Sequence, residues 1–192
     1  MPTRVVIAED EAIIRLDLKE TLEEEGYEVV AETGRGDTAV ELVREHQPDV
    51  AILDIKMPGL DGLSAAREIA GERLAAVLIL TAFSQRDLIE RARDAGALAY
   101  LVKPFQKADL FPAIEVAVAR FRELRDLHEQ AHSLEEQLET RKAVDRAKGQ
   151  LMDRDGLSEA AAFEFIQKTA MRDRQTMRAV AQRVLDGDLT PA

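Results

Sequence analysis

The 192-residue chain contains no cysteine and no tryptophan. Without thiols it has no disulfide scaffold, no thiol nucleophile and no Cys-ligated zinc or iron–sulfur centre. Long apolar runs are missing too. The longest covers residues 74–80 and continues through Thr81-Ala82-Phe83, far below the ~20 residues that a bilayer-spanning helix needs. At the amino end only four apolar residues separate Arg4 from Glu9 and Asp10, too few for the apolar core of a secretory signal. A cytoplasmic protein that does not touch membranes is expected. Positive charge is in deficit: 26 Lys and Arg stand against 37 Asp and Glu, a formal net charge of −11. Averaged over the chain, that deficit argues against nucleic acid, whose phosphates attract net positive surface. With 46% hydrophobic and 33% charged residues, the composition is that of an ordinary folded protein of one domain, or one domain with a smaller companion.

Residues 1–120 alternate two patterns. Short β-branched apolar runs at 4–8, 27–31, 50–53, 76–80 and 97–102 have strand length. Between them, segments at 12–25, 37–46, 62–70 and 86–95, and another from Lys107, repeat apolar residues at helical spacing. Turn residues mark the joints, among them Gly26, Gly34, Gly36, Pro48, Pro58-Gly59 and Gly96. Such alternation predicts an α/β doubly wound sheet of five parallel strands, and the nearly unbroken apolar strands fit a sheet covered on both faces.

Beyond Leu110 the strand pattern stops. Leu124, Leu127, Ala131, Leu134 and Leu138 follow a 3-4-3-4 spacing, the narrow seam of a coiled-coil linker helix over 121–140 that pairs with another helix. Residues 141–185 read as a small all-α domain of three helices, followed by a tail, 186–192. Val144, Ala147, Leu151 and Met152 mark the first helix; Ala162, Phe163, Phe165 and Ile166 the second, behind an N-cap at Ser158; Met177, Val180, Ala181, Val184 and Leu185 the third.

In an open parallel sheet, chemistry gathers at the carboxyl ends of the strands near the topological switch point. Those ends carry Glu9 and Asp10, Asp54, Thr81 and Lys103. Three carboxylates in one place repel each other and call for a cation, and oxygen ligands without His or Cys suit Mg2+. Other candidates are weaker. Thr33-Gly34-Arg35-Gly36 reads as a strand-to-helix turn rather than a phosphate loop, and His128 with His132 lacks a third metal ligand nearby.

Four stretches carry a resemblance: Val5-Val6-Ile7-Ala8-Glu9-Asp10-Glu11, Asp54-Ile55-Lys56-Met57-Pro58-Gly59-Leu60-Asp61-Gly62, Thr81-Ala82, and Tyr100-Leu101-Val102-Lys103-Pro104-Phe105. In this order and spacing they resemble the signature of a bacterial response-regulator receiver domain, here over residues 1–120. The resemblance implies that Asp54 is the phosphoacceptor for a sensor histidine kinase. It implies further that Asp10, Asp54 and the Lys56 backbone carbonyl hold Mg2+, with Glu9 assisting through water. Thr81 and Lys103 would contact the phosphoryl group, Lys103-Pro104 would be a cis peptide, and Thr81 would move toward Asp54 and make room for the Tyr100 ring. Such a protein catalyses its own phosphorylation and is not a metabolic enzyme; no small-molecule substrate is expected.

Split along the chain, the charge is uneven. Residues 141–192 hold ten basic against eight acidic side chains, so the acidity belongs to the rest. Arg141, Lys142 and Lys148 fall near one stripe, and Arg172, Arg174 and Arg178 flank the third helix. Ala147-Lys148-Gly149-Gln150-Leu151-Met152, Arg154-Asp155-Gly156-Leu157-Ser158-Glu159-Ala160-Ala161-Ala162-Phe163 and Thr169-Ala170-Met171 resemble the ANTAR module of RNA-binding transcription antiterminators. Gln150 departs from it, standing where that family has a branched aliphatic. The resemblance implies binding of leader-RNA hairpins, with Arg141, Lys148, Gly149, Arg172, Arg174 and Arg178 as candidate contacts. Lacking an aromatic stacking platform, the module is expected to grip loop bases with Arg, Lys and backbone. Gly149, at a mid-helix cost of roughly 1 kcal/mol against Ala, is expected to permit close approach of RNA or a helix. A homodimer formed on phosphorylation through the Leu124–Leu138 seam would bring two modules to two hairpins. The rival is a DNA-binding response regulator, which lacks an evident recognition helix after a tight turn; a protein-interaction output is a third class.

Overall fold

The computed structural model describes residues 1–83 and 85–191, and the chain divides into two compact units, 1–126 and 127–192. Ala192, the last residue of the expected tail, lies outside the described residues.

In the first unit β1 (Arg4–Ala8), α1 (Ala12–Glu24), β2 (Glu28–Thr33), α2 (Gly36–His46), β3 (Val50–Asp54), α3 (Gly62–Gly71), β4 (Ala76–Thr81), α4 (Arg86–Asp94) and β5 (Ala99–Val102) alternate as the pattern predicts. All strand pairs are parallel, in the order β2-β1-β3-β4-β5. β3 and β4 each run one residue past the expected run, and two strands differ by more. β2 runs two residues past the apolar run because Glu32 and Thr33 pair with Ile7 and Ala8; on an edge strand, polar residues can hold the ladder. β5 starts at Ala99 rather than residue 97, since Ala97 and Leu98 still complete the turn after α4, where Gly96 takes a φ of +87°.

The sheet buries both faces. Val6, Ala8, Ala51, Leu53, Val77 and Ile79 point to the side covered by α2, α3 and α4. Their alternate neighbours Val5, Ile7, Val50, Ile52, Leu78 and Leu80 meet Leu18 and Leu22 of α1 and Leu110 and Ile114 of α5 (Lys107–Asp155). This period-two division is what the pleat imposes. The strand order reverses direction between β1 and β3, so a crevice opens at the carboxyl ends of these two strands.

α5 is 49 residues long. The helix from Lys107, the seam helix and the first helix of the all-α domain, three segments by pattern, are one element, and no glycine or proline stands between Ala113 and Lys148 to interrupt it. Its seam residues Leu124, Leu127, Leu134 and Leu138 are 52–65% exposed, and Ala131 is exposed as well. No helix among the described residues is long and apolar enough to cross a membrane.

In the second unit the carboxyl-terminal part of α5 packs with α6 (Glu159–Asp173) and α7 (Met177–Leu185). Ala143, Val144, Ala147 and Leu151 meet Ala162, Ile166 and Ala170 of α6 and Val180, Ala181 and Val184 of α7. Small residues dominate this core, so the helices approach closely. Ser158 caps α6 as expected, its Oγ accepting from the Ala161 N–H at 3.2 Å, and Thr176 caps α7 in the same way through Ala179. Two expected core positions are corrected. Met152 is 40% exposed and Phe163 41%; both lie beside the apolar stripe rather than on it.

Candidate functional site

Strand ends deliver the chemistry. β1 leads directly into Glu9 and Asp10, Asp54 is the last residue of β3, Thr81 the last of β4, and Lys103 follows β5. Carboxylate oxygens of Glu9, Asp10 and Asp54 lie within 4.8 Å of one another. Glu9, Asp54 and Thr81 are buried while Asp10 is exposed. Two carboxylates at 4 Å repel by about 4 kcal/mol at the effective dielectric of a protein surface. Lys103 offsets part of that: its Nζ donates to Glu9 Oε2 and, at 2.9 Å, to Asp54 Oδ1. One ammonium against three carboxylates leaves two formal negative charges, and every donor is a hard oxygen. This set fits a divalent cation such as Mg2+.

Burial pushes the Glu9 carboxyl above the ordinary glutamate range, more than its bond to Lys103 draws it down. Burial alone would lower the Lys103 ammonium, but its bonds to Glu9 and Asp54 hold it above its ordinary value. Asp54 Oδ2 accepts from the Lys56 N–H at 2.7 Å. Both Asp54 oxygens are thus engaged and the carboxylate is held in one orientation. A cavity of about 250 Å3 opens over it, lined among others by Asp10, Asp54, Lys56, Thr81 and Lys103. The predicted pocket residues are brought together. Tyr100 is half-buried beside them, its hydroxyl donating to the Phe83 carbonyl at 2.6 Å, while the Phe83 N–H donates to Thr81 Oγ1 at 3.2 Å. Phe83 therefore links the two switch candidates. The Lys103-Pro104 peptide is cis.

Three further contributions were not read from the sequence, although Lys56 and Gly62 lie within a quoted stretch. The guanidinium of Arg15, half-buried on α1, donates to the Glu9 carbonyl and holds the loop that carries two of the acids. Its spacing from Glu9 is the only sequence cue. Lys56 Nζ lies 4.4 Å from the centre of the Phe83 ring, which joins the loops after β3 and β4 by a cation–π contact. Gly62 carries no side chain because none fits: a methyl group there would lie 1.9 Å from the Asp54 carbonyl oxygen. Gly36 is as crowded, 2.0 Å from the Leu60 oxygen.

In the second unit the candidate cations fall into different settings. Lys148 is paired with Asp145 at 3.0 Å and Glu159 at 2.8 Å, so its charge is largely neutralised locally. Arg172 pairs with Asp173, which also accepts from Arg183. Arg141 reaches Asp145 only at 3.9 Å and is 84% exposed. Arg174 ends α6 in the left-handed region, at φ +53°. Arg178 is exposed next to Met177, at the start of α7. Among the described residues nothing outside the local turn of α5 lies within 4 Å of where a Cβ of Gly149 would be, so no other helix approaches it there. Gly149→Ala should therefore stabilise the second unit, by up to about 1 kcal/mol from helix propensity, read as a higher urea midpoint. A lower midpoint would mean that the glycine meets something the free chain does not display.

Comparison with known proteins accords with both halves. Residues 5–115 match the response regulator receiver domain family and residues 132–185 the ANTAR domain family. The chain is 59% identical over 191 residues to the transcriptional regulatory protein PdtaR of Mycobacterium tuberculosis, spanning 100% of this chain and 93% of that one. Among solved structures, the receiver domain of NarL from Mycobacterium tuberculosis superposes with a TM-score of 0.59 at 29% identity, covering 62% of this chain and 97% of NarL's. The receiver domain of the sensor histidine kinase PA1611 from Pseudomonas aeruginosa, which holds a magnesium ion in its active-site cleft, does so at 0.56 and 28%, covering 62% and 99%. The pocket at the strand ends and the two matched segments together establish that the chain belongs to the response-regulator family, as a member that joins a receiver domain to an ANTAR domain.

Proposed function

We propose that the chain is a phosphorylation-switched RNA-binding antiterminator: a histidine kinase phosphorylates Asp54, and the second unit then holds hairpins of nascent leader RNA so that a terminator stem does not form. The observation that carries the switch is the grouping of Asp10, Asp54, Thr81 and Lys103 around one cavity, with Glu9 bonded to Lys103 behind them. The RNA half is supported by the ANTAR match and by the surplus of basic side chains in residues 141–192.

The residues have separable tasks. Lys56 and Lys103 hold the Asp54 carboxylate. An Asp54 oxygen forms a bond to the phosphorus of the donor's phosphohistidine as the N–P bond breaks, and the histidine nitrogen keeps that electron pair and takes up a proton. Lys103 then exchanges its bond to the carboxylate for one to a phosphoryl oxygen, and Thr81 donates its hydroxyl to another. Asp10, Asp54 and the Lys56 carbonyl would hold Mg2+, with Glu9 behind them through water; when bound, the cation neutralises charge on the phosphoryl oxygens during transfer. Phosphorylation adds nearly two negative charges beside Thr81. Withdrawal of Thr81 toward them would break its bond from the Phe83 N–H and free the segment on which the Tyr100 hydroxyl rests. Exposed Leu124, Leu127, Leu134 and Leu138 then pair with those of a second copy, since these four and the exposed Ala131 between them form an unsatisfied apolar stripe.

The cation has a pH signature. With its folded value raised by burial, Glu9 contributes most to stability below its unfolded value, and that contribution is lost as pH rises through the folded value. Without a cation, the charged Glu9 is thus a cost at neutral pH, which a cation relieves. Mg2+ should raise the melting temperature more at pH 7 than at pH 5; an equal increment at both would remove Glu9 from the metal site. For the RNA half, the phosphorylated chain is titrated with hairpin RNA and with duplex DNA over a salt series. Preference for RNA, with affinity falling as salt rises, is expected; no preference over DNA sinks the antiterminator reading.

A further inference from the structure

The second unit carries a groove that the switch does not use, with a volume of about 610 Å3. Its origin is the length of α5. Val144 is the last core residue on one face of that helix, and the same face continues toward the amino end as Thr140, Gln137 and Ser133, spaced three and four apart. α6 and α7 do not cover this polar extension. Phe163 and Met177, from near their amino ends, close the groove from the other side. The groove is therefore amphipathic, with an aromatic face opposite hydroxyl and amide groups. Phe163 is 41% exposed, an expense in water for a ring on so small a domain.

The wall is mixed in charge: Arg141 and Lys148 stand there with Glu136 and Asp145, and Lys148 is paired with Asp145 at 3.0 Å. Arg141 is 84% exposed and reaches Asp145 only at 3.9 Å. Arg178, adjacent in sequence to the lining residue Met177, is exposed and makes no ion pair among the described residues. These two arginines can meet phosphates, and an unstacked base fits the aromatic floor.

We propose that the groove receives one unpaired loop base of the RNA hairpin, stacked on the Phe163 ring and read at its edge by Gln137 and Thr140, with Arg141 and Arg178 on the flanking phosphates. This rests on the RNA-binding reading above and replaces the expectation that the module lacks an aromatic platform. Gln137 suits the role: its amide N–H reaches Ser133 Oγ at 3.4 Å, which leaves its carbonyl oxygen for a base donor. Arg141 and Arg178, rather than the already paired Lys148, supply the charge.

The test uses the phosphorylated full chain and a pool of stem-loop RNAs with one fixed stem and a randomised loop, transcribed with 5-iodouridine. Long-wave irradiation couples iodouracil to an aromatic ring stacked on it, and peptide sequencing by mass spectrometry locates the adduct. The expected adduct is on Phe163. Phe163→Ala should weaken retention of the pool by roughly 5- to 100-fold, the range of a single base–aromatic stack, whereas Phe163→Tyr should keep it within a few-fold. Circular dichroism of both variants should match the parent, because the ring is not a core residue. An adduct on another aromatic, or undiminished retention by Phe163→Ala, overturns the groove while leaving RNA binding intact. If Phe163→Ala instead shifts the monomer–dimer equilibrium with RNA retention unchanged, the groove is a protein interface and the proposal fails. If the parent retains no RNA beyond what duplex DNA of the same length gives, the function and the groove fail together.

Discussion

An Asp54→Asn chain, mixed with a phosphorylated histidine kinase and Mg2+, will take up no acid-labile phosphate. The nucleophile is the reason. An amide oxygen does not form an acyl phosphate, and neither of the other clustered carboxylates is placed to substitute: Glu9 is buried and bonded to Lys103, and Asp10 is exposed at the cavity wall, where it is a candidate metal ligand. The substitution preserves shape and leaves an acceptor for the Lys56 N–H or for Lys103, so the fold survives. It also removes one of three mutually repelling charges, each pair of which costs on the order of 4 kcal/mol at 4 Å. The variant should consequently melt no lower than the parent when divalent cations are absent. Phosphate uptake that persists at the parental level would show that another residue is the acceptor. Lost uptake together with a much lower melting temperature would point to a structural role for Asp54 and not to a nucleophile.

Gly62→Ala will destabilise the receiver unit by about 3 kcal/mol or more, among the largest effects that a single added methyl can have. Helix propensity argues the other way. Alanine is favoured over glycine by about 1 kcal/mol in a helix, and Gly62 opens α3 with an ordinary negative φ. Sterics decide the sign. The methyl carbon would sit 1.9 Å from the Asp54 carbonyl oxygen, 2.8 Å from its carbon and 3.0 Å from the Ile55 Cα. All three are backbone atoms at the end of β3, at Asp54 and Ile55, so no side chain can swing aside. Relief must come from moving α3 or the end of β3, which would also stretch the bond from the Gly62 N–H to the Ile55 carbonyl at 2.9 Å. A urea titration should show a much lower midpoint, and Mg2+ should lose its stabilising effect because the Asp54–Lys56 turn has shifted. A midpoint within 1 kcal/mol of the parent's would refute the close-packing account. Gly149→Ala, with nothing within 4 Å, serves as the opposite control.

The pocket was legible in the sequence to an unusual degree because its members sit at strand ends. A parallel sheet places every strand's carboxyl end on one edge, so Glu9, Asp10, Asp54, Thr81 and Lys103 had to converge once the five strands were recognised. Arg15 and Phe83 were not legible. Their contributions pass through a backbone carbonyl and a ring face, contacts that no spacing rule encodes. The helical segment was harder to read. Periodicity assigns Met152 and Phe163 to an apolar stripe, but with small residues such as Ala147, Ala162 and Ala181 bringing the helices close, the core is narrow and leaves both side chains at its margin.

Charge followed the same division. The total of −11 is a property of composition and was known at once, as was its concentration outside residues 141–192. Which cations remain available is a tertiary matter: Lys148 meets Asp145 one turn away and Glu159 across a helix boundary, whereas Arg178 makes no ion pair among the described residues. Sequence alone determined the strand–helix alternation, the carboxylate set, the linker seam and the two-domain order, because these depend on periodicity and on residue type at element ends. Tertiary structure alone decided that the linker is part of one continuous helix, that Gly62 admits no methyl, and that Phe163 faces a groove, because each depends on distances between residues that are remote along the chain or on what neighbouring helices leave uncovered.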